Sequence, residues 1–438
     1  MIFFVVAISA ALAAAAIVEY RIHITRIRAI PVRILVNGTR GKSTVSRLVA
    51  AGLTAGGLRT YAKTTGSAAR LILPDLREVS IRRRGSAHRR ASIMEHRWFV
   101  REAHKNGAQA LVAECMAIQP ETIRTLETRL AHSTIGVITN VRLDHMDTMG
   151  TELTSVAEAL AESVPERGRL FVGLEGMDEA VKEVFARKAA RRGAELRFVN
   201  CEEETQSLCG QFSYPMFAQN LALALAVCET CGVSREVALR GMLGAAPDPG
   251  VRSSLELVWR GIAVRVVNAF AANDAQSTLA MWRAACGDSS QPDSRADGGA
   301  GGGQSFRALV FNHREDRAWR ALQLGEIAAG MSADAILVYG MGQRLARRTV
   351  RGYYRRNGLQ NGSQAGAVPF PVVRSMRDAD VGAVLETIRS IEGFSTAGES
   401  ARIEILCAGN IKGQGLALTD SFAATLPQET EKAFQGRA

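Results

Sequence analysis

Leu35–Thr44 reads LVNGTRGKST. It closes an apolar run, PVRILVN at Pro31–Asn37, and opens KSTVSRLVAAGLTAGG at Lys42–Gly57. The short aliphatic run predicts a buried strand, and the segment ending in Gly56 and Gly57 predicts a helix. A strand, a glycine-bearing turn and a helix that starts Lys-Ser-Thr make the frame of a phosphate-binding loop. Its glycines let backbone N–H groups turn inward, and the helix N-terminus favours an anion. The usual pattern also has a glycine five residues before Gly41, and Val36 stands there instead. On this reading Gly38, Thr39, Gly41 and Thr44 surround the nucleotide. Lys42 meets its β- and γ-phosphates, and Ser43 or Thr44 offers a hydroxyl to Mg²⁺. The plainer alternative is a glycine-rich turn with a chance lysine.

Outward from this stretch, strands and helices alternate. ALVAECM (Ala110–Met116), TIGVITNV (Thr134–Val141), RLFVG (Arg169–Gly173) and ELRFVN (Glu195–Asn200) are the apolar runs that a buried parallel sheet requires. GAAPDPGVRSS, around Pro247, is a turn cluster and predicts a boundary. Beyond it IAVRVVNAF, FRALVFN, ADAILVYG and ARIEILCAGN resume the alternation. The expectation is an α/β protein: a parallel-rich domain over residues 25–250 and a second, Rossmann-like α/β domain over 251–438. Gly287–Ser305 (GDSSQPDSRADGGAGGGQS) has the composition of a flexible loop, and Asn357–Ala367 is a milder case.

The 438 residues suffice for two or three domains. A net charge of +11 favours an anionic partner. No helix-turn-helix, zinc-finger or RNP pattern is present, so nucleic acid is not expected. The seven cysteines are loosely spaced and odd in number, which argues against a disulfide framework. Cys228 and Cys231 form one C-x-x-C in a helical stretch without a second pair, which reads as structure rather than as a metal site.

Ile2–Val18, IFFVVAISAALAAAAIV, carries no charge, and Arg21, Arg26 and Arg28 follow it. The run is at the short end of what crosses a bilayer as a helix. The basic flank predicts that the rest of the chain is cytoplasmic. Residues 1–24 are therefore expected to be a single-pass anchor. A cleaved signal peptide is the competing reading, but no basic residue precedes the apolar run.

Two further sites carry chemistry. NVRLDHMDTMG (Asn140–Gly150) follows a predicted strand and packs Asp144, His145 and Asp147 into four residues. Ligands gather at the carboxyl ends of strands in such sheets. Glu114, at the end of another apolar strand, is costly to bury without a partner, and Mg²⁺ would be one.

Taken in order, G-T-x-G-K-[ST]-[ST], a strand-end Glu and N-x-x-x-D-H-x-D resemble the Mur ligase superfamily. Its loop commonly lacks the first glycine. Within the superfamily, the apolar leader, KTTGSAAR, ECMAIQP, MLGAAPDPG, NAFAANDAQST and AGNIKGQG resemble the ligase subunits of poly-γ-glutamate (capsule polymer) synthase. The resemblance runs from Met1 to about Gly415.

The resemblance implies a bacterial, membrane-bound ligase that uses ATP and Mg²⁺. It would join glutamate to a growing polyglutamate chain through an acyl-phosphate. It would work with other membrane subunits, and self-association stays open. The alternative is a folylpolyglutamate-type or other Mur-type ligase acting on another acceptor. By similarity, Lys42, Glu114 and His145 are catalytic, and Ser43, Glu114 and His145 neighbour magnesium. Asn220 would lie near the adenine, Arg252 near the γ-phosphate and Asp274 at the ribose. Many members hold a second magnesium with a carbamylated lysine, but no lysine occurs here between Lys105 and Lys182. A carboxylate such as Glu158, or a different arrangement, then has to serve. Arg40, Lys63, Arg70 and the basic stretch Ser80–Arg90 are candidate contacts for substrate carboxylates.

Overall fold

The structure is a computed structural model. It describes residues 2–65, 69–81, 92–214, 216–247, 255–270, 275–286, 305–313, 324–328, 330–331, 333–340, 343–360, 371–377, 380–391, 394, 402–409, 415, 417–418 and 421. The chain divides into two compact units, Met1–Asp248 and Pro249–Ala438.

In the first unit α1 (Ile2–Arg28) leads into β1 (Val32–Asn37) and α2 (Lys42–Ala55). Next come β2 (Thr60–Thr64), β3 (Arg70–Ile72), β4 (Glu78–Ser80) and α3 (Glu95–Lys105). They are followed by β5 (Ala110–Glu114), β6 (Ile135–Ile138), β7 (Arg169–Gly173) and β8 (Glu195–Val199). The sheet order is β4-β3-β2-β5-β1-β6-β7-β8. It is parallel except for the β2/β3 and β3/β4 pairings. The expected strand at Thr134–Val141 is shorter in the structure, because Thr139 and Asn140 leave the ladder to bond the phosphate loop.

Leu35, Leu111 and Ala113 pack with Phe99, Val100 and Ile123 in one core. On the helical side, α2 packs against helices Ala218–Thr230 and Arg235–Leu243. Cys228 is buried there beside α2, and burial pushes its thiol well above the usual range; Cys231 is pushed up to about 11. Both are the inert thiols that the structural reading of the C-x-x-C predicts.

α1 outruns its apolar stretch. The run ends at Val18, but the helix continues to Arg28, and its last turns join the domain core. Ile27 and Ile30 are fully buried, and the His23 ring is hydrogen-bonded to the Leu130 carbonyl at 2.8 Å. Leu130 lies in a six-residue π-helix, Leu126–Ala131, which ends at His132 in the left-handed region.

The second unit holds β9 (Leu255–Trp259), β10 (Ile262–Asn268), β11 (Ser305–His313), β12 (Ala335–Gly340), β13 (Val372–Ser375) and β14 (Arg402–Gly409). Their order is β13-β12-β11-β14-β10-β9, and all pairings are parallel except the β9/β10 hairpin. The continuous apolar runs fit because both faces are covered: Val264, Ile405 and Leu337 enter one core, and Leu309, Ile336 and Leu406 enter another. Asn357–Gln360, expected in a loop, instead completes helix Gln343–Gln360; a basic, well-spaced helix runs through them. The rest of that stretch, and residues 287–304, lie outside the described residues.

Candidate active site

The site begins with register. β1 lies between β5 and β6, and all three are parallel. Val36 pairs with Glu114 and Asn37 with Ile138, so the three carboxyl ends stand side by side. Val36 is buried inside β1, and the turn starts two residues later at Gly38. That is why no glycine is needed at position 36.

Gly38 has φ +125°, and a Cβ there would come within 2.1 Å of Thr139 Oγ1. Gly41 has φ +79°, and a Cβ there would come within 2.5 Å of Asn220 Oδ1. Only glycine meets both demands. Asn220, expected near the adenine, therefore stands directly against the start of α2.

The turn is clasped by the residues just after β6. Asn140 Oδ1 accepts from Arg40 N at 3.0 Å, and Asn140 Nδ2 donates to Arg40 O at 3.1 Å. Thr139 Oγ1 donates to that same carbonyl. Thr39 Oγ1 accepts from Arg142 N at 3.0 Å. The cradle is thus held rigid from one side.

Lys42 Nζ donates to Gly38 O at 2.5 Å and Thr39 O at 3.2 Å. Loss of water lowers its pKa, with Glu114 opposing, Arg40 adding to the fall and Asp144 opposing. These four charges share one neighbourhood.

Glu114 is 5% exposed. Its Oε2 accepts from Ser43 Oγ at 2.8 Å and from Thr65 N at 2.6 Å. The buried carboxylate is therefore satisfied by the first turn of α2 and by the end of β2. A hydroxyl and a carboxylate oxygen at the head of a phosphate loop are the hard donors that Mg²⁺ takes together with phosphate and water. Among the described residues, no three His, Cys, Asp or Glu side chains gather closely enough to hold a metal by themselves.

Of the three expected magnesium neighbours, the structure joins Ser43 and Glu114. His145 is tied instead to Asp144: its Nε2 lies 3.8 Å from Asp144 Oδ2, and its N–H donates to Asp144 Oδ1 at 3.0 Å. It sits in the left-handed region at φ +49°. Asp144 also meets Arg40 Nη2 at 3.0 Å, so Arg40 bridges the phosphate loop and the turn that carries His145.

Lys63 is likewise drawn into the fold: it is 2% exposed, and its Nζ lies 3.4 Å from Glu95 Oε2. Arg70 is more accessible than Arg40 or Lys63. It pairs across the β2–β3 ladder with Thr64, next to the Thr65 that holds Glu114. Its Nη1 bonds Ser80 Oγ, and its Nε lies 4.0 Å from Glu78 Oε2. Glu78 also takes both arms of the buried Arg47, at 2.7 and 3.2 Å. Sequence reasoning singles out neither Arg47 nor Glu78, because the hairpin that brings β4 over α2 leaves no local mark. Thr65 is equally silent, since its contribution is a backbone N–H. Glu158 is exposed on helix Leu153–Ala161. Arg252, Asp274, the Asp147 side chain and Arg82–Arg90 lie outside the described residues.

Two family matches divide the chain as the sheets do. Residues 36–228 match the Mur ligase middle domain, and residues 256–425 match the poly-gamma-glutamate synthase CapB C-terminal domain. The chain therefore carries a Mur ligase middle domain followed by a CapB-type C-terminal domain. Two curated relatives of this chain are CapB proteins. The PGA synthase CapB of Bacillus subtilis (strain 168) is 40% identical over 268 residues, which cover 61% of this chain and 66% of that protein. The capsule biosynthesis protein CapB of Bacillus anthracis is 38% identical over 266 residues, covering 60% of this chain and 56% of that one. The matched part is thus less than two thirds of the length of either relative.

Solved Mur ligase structures share the fold. Folylpolyglutamate synthase from Mycobacterium tuberculosis, complexed with ADP and AMPPCP, aligns with TM-score 0.62 at 16% identity. It covers 92% of this chain and 96% of that one. MurF from Acinetobacter baumannii aligns with TM-score 0.60 at 14% identity, over 92% and 80%. At these identities the likeness is one of fold alone.

Proposed function

We propose that this chain is an ATP-dependent amide ligase that polymerises glutamate into poly-γ-glutamate at the cytoplasmic face of the membrane. The observation that carries the reading is the Ser43–Glu114 hydrogen bond at the head of the Lys42 loop. It puts a magnesium-type oxygen pair beside a phosphate cradle, in a chain whose curated relatives are CapB proteins.

A glutamate carboxylate oxygen attacks the γ-phosphorus of ATP, and ADP leaves. The amine of a second glutamate then attacks the acyl carbon. Phosphate departs, the amine nitrogen gives up a proton, and the amide remains. Such transfers depend on positioning and charge neutralisation. Lys42 neutralises phosphate oxygens, while Gly38, Thr39, Gly41 and Thr44 surround them. Ser43 and Glu114 would hold Mg²⁺, and by the family resemblance His145, on the Asp144 turn, would be a third neighbour. Bound there, Mg²⁺ supplies charge neutralisation at the phosphates. Asn220 borders the nucleotide; Arg252 and Asp274 belong to the γ-phosphate and ribose. Arg70, backed by Glu78 and Arg47, binds a substrate carboxylate at the edge of the Glu114 pocket. Residues 1–24 form the anchor, with the apolar run 2–18 as its lipid-facing part, and other membrane subunits complete the synthase.

Membranes incubated with ATP, Mg²⁺, labelled glutamate and hydroxylamine test this. Glutamyl-hydroxamate is expected, with labelled polymer when hydroxylamine is omitted, and both vanish in Lys42→Ala. Normal polymer synthesis by Lys42→Ala would sink the mechanism. ATP turnover that ignores glutamate but answers to another amino acid would shift the reading to a folylpolyglutamate-type ligase.

A further inference from the structure

The apolar run of α1 is exposed throughout, from Phe3 to Val18. At ~1.5 Å per residue its seventeen residues span about 25 Å, close to a bilayer's hydrocarbon core. Glu19 directly follows the run, and its carboxylate is ion-paired with Arg97 in the first turn of α3. This pair fixes α3 beside the end of the apolar run. The inner face of α3 is immobilised in the core by Phe99, Val100 and Ala103.

The other face of α3 is unlike an ordinary solvated surface. Met94 is 50% exposed and Trp98 is 36% exposed, one helical turn apart and flanking Arg97. Arg101 follows on the same side and is exposed. Across the ion pair, Tyr20 (38% exposed) and Arg21 continue the pattern on α1. Tyr and Trp with apolar bodies and polar tips, next to arginines, make the composition that settles at a bilayer's headgroup level.

We propose that the Met94–Trp98–Arg101 face of α3 is a second membrane-contact element, seated in the headgroup region of an anionic bilayer beside Tyr20 and Arg21. The proposal rests on the reading of α1 as a membrane anchor. Continuity favours a lipid occupant: the face adjoins the exit of the apolar helix through Glu19–Arg97, and its exposed arginines match acidic headgroups.

The test uses the full chain reconstituted in phosphatidylglycerol/phosphatidylcholine vesicles, with tryptophan quenching by lipids brominated either near the headgroup or near the chain terminus. Three proteins are compared: wild type, Trp98→Phe, and Ala10→Trp as a probe of the apolar run. Deep bromines are expected to quench the added tryptophan of Ala10→Trp. Shallow bromines are expected to quench wild type, with at least half of that fall lost in Trp98→Phe. The Trp98-dependent fall should shrink in vesicles of phosphatidylcholine alone. An equal fall in wild type and Trp98→Phe, with Ala10→Trp quenched, overturns the second contact and leaves the anchor standing. No deep quenching of Ala10→Trp overturns the anchor and the proposal together. A Trp98-dependent fall indifferent to phosphatidylglycerol overturns the assignment to an anionic surface.

Discussion

Arg40 Nη2 stands 3.0 Å from Asp144 Oδ2, and this pair joins the phosphate loop to the turn that carries His145. Both side chains are largely withdrawn from water, at 16% and 5% exposure. Breaking such a pair from one side strands the other charge. Arg40→Ala and Asp144→Ala are each expected to lower ATP turnover by roughly 5- to 100-fold, the equivalent of ~1–3 kcal/mol of coupling. The double variant should be no worse than the poorer single. A double-mutant cycle on steady-state kcat/KM checks this, and simple additivity would rule the coupling out.

Glu114→Gln keeps the shape of the side chain but removes its charge beside Ser43. The magnesium concentration for half-maximal ATP turnover is expected to rise on the order of tenfold or more. The readout is a magnesium titration at saturating ATP. An unchanged midpoint would place the metal elsewhere.

Gly41→Ala should be far more damaging than Gly57→Ala. Both glycines have positive φ, +79° and +86°, so each substitution costs roughly 1–2 kcal/mol of backbone strain. At Gly57 nothing lies within 4 Å, whereas at Gly41 the methyl would strike Asn220. Equilibrium dialysis with a nonhydrolysable ATP analogue should show near-wild-type affinity for Gly57→Ala and at least a tenfold loss for Gly41→Ala.

These contrasts show what a sequence carries and what it hides. Gly38, Gly41, Lys42 and Ser43 are legible because strand, turn and helix are contiguous, so local spacing encodes the whole cradle. Glu114 is legible as an anomaly, a charge at the end of an apolar strand. Its hydrogen bond from Thr65 N is not, because backbone donors carry no residue signature. The Arg40–Asp144 pair is not legible either, since nothing in LVNGTRGKST points to Asp144. Asn357–Gln360 reads as a loop because its glycine and asparagine mimic a turn, and the helix that absorbs them is set by the basic, amphipathic stretch before it. The π-helix at Leu126–Ala131 has the same apolar spacing as an α-helix, so only coordinates reveal it.

That π-helix carries a titration of its own. Burial pushes the Glu127 carboxyl up to about 7 from 4.5, although Ser133 N and Oγ both donate to it, at 3.1 and 2.7 Å. An acid whose folded pKa is raised favours the fold in its neutral form. That contribution is complete below about pH 4.5 and is lost as pH rises through about 7. Its full extent is about 3 kcal/mol. Amide exchange protection of Leu126–Ala131, corrected for the chemical rate, is expected to fall by up to about a hundredfold between about pH 5 and pH 8. Glu127→Gln should flatten the profile; a variant that keeps the wild-type slope would assign it to another group.

Because α1 passes from lipid-type sequence into the domain core without a break, there is no leash between them. A flexible tether would let a catalytic head wander through a hemisphere of cytosol. A helix whose last turns are cemented by His23 and Ile27, with Ile30 buried just past its end, leaves the first unit little freedom to turn against it. In a bilayer, such a protein would search for its neighbours only by sliding and spinning in the plane. Any partner in the same membrane would meet it at one height and one tilt, so that docking spends little entropy on orientation.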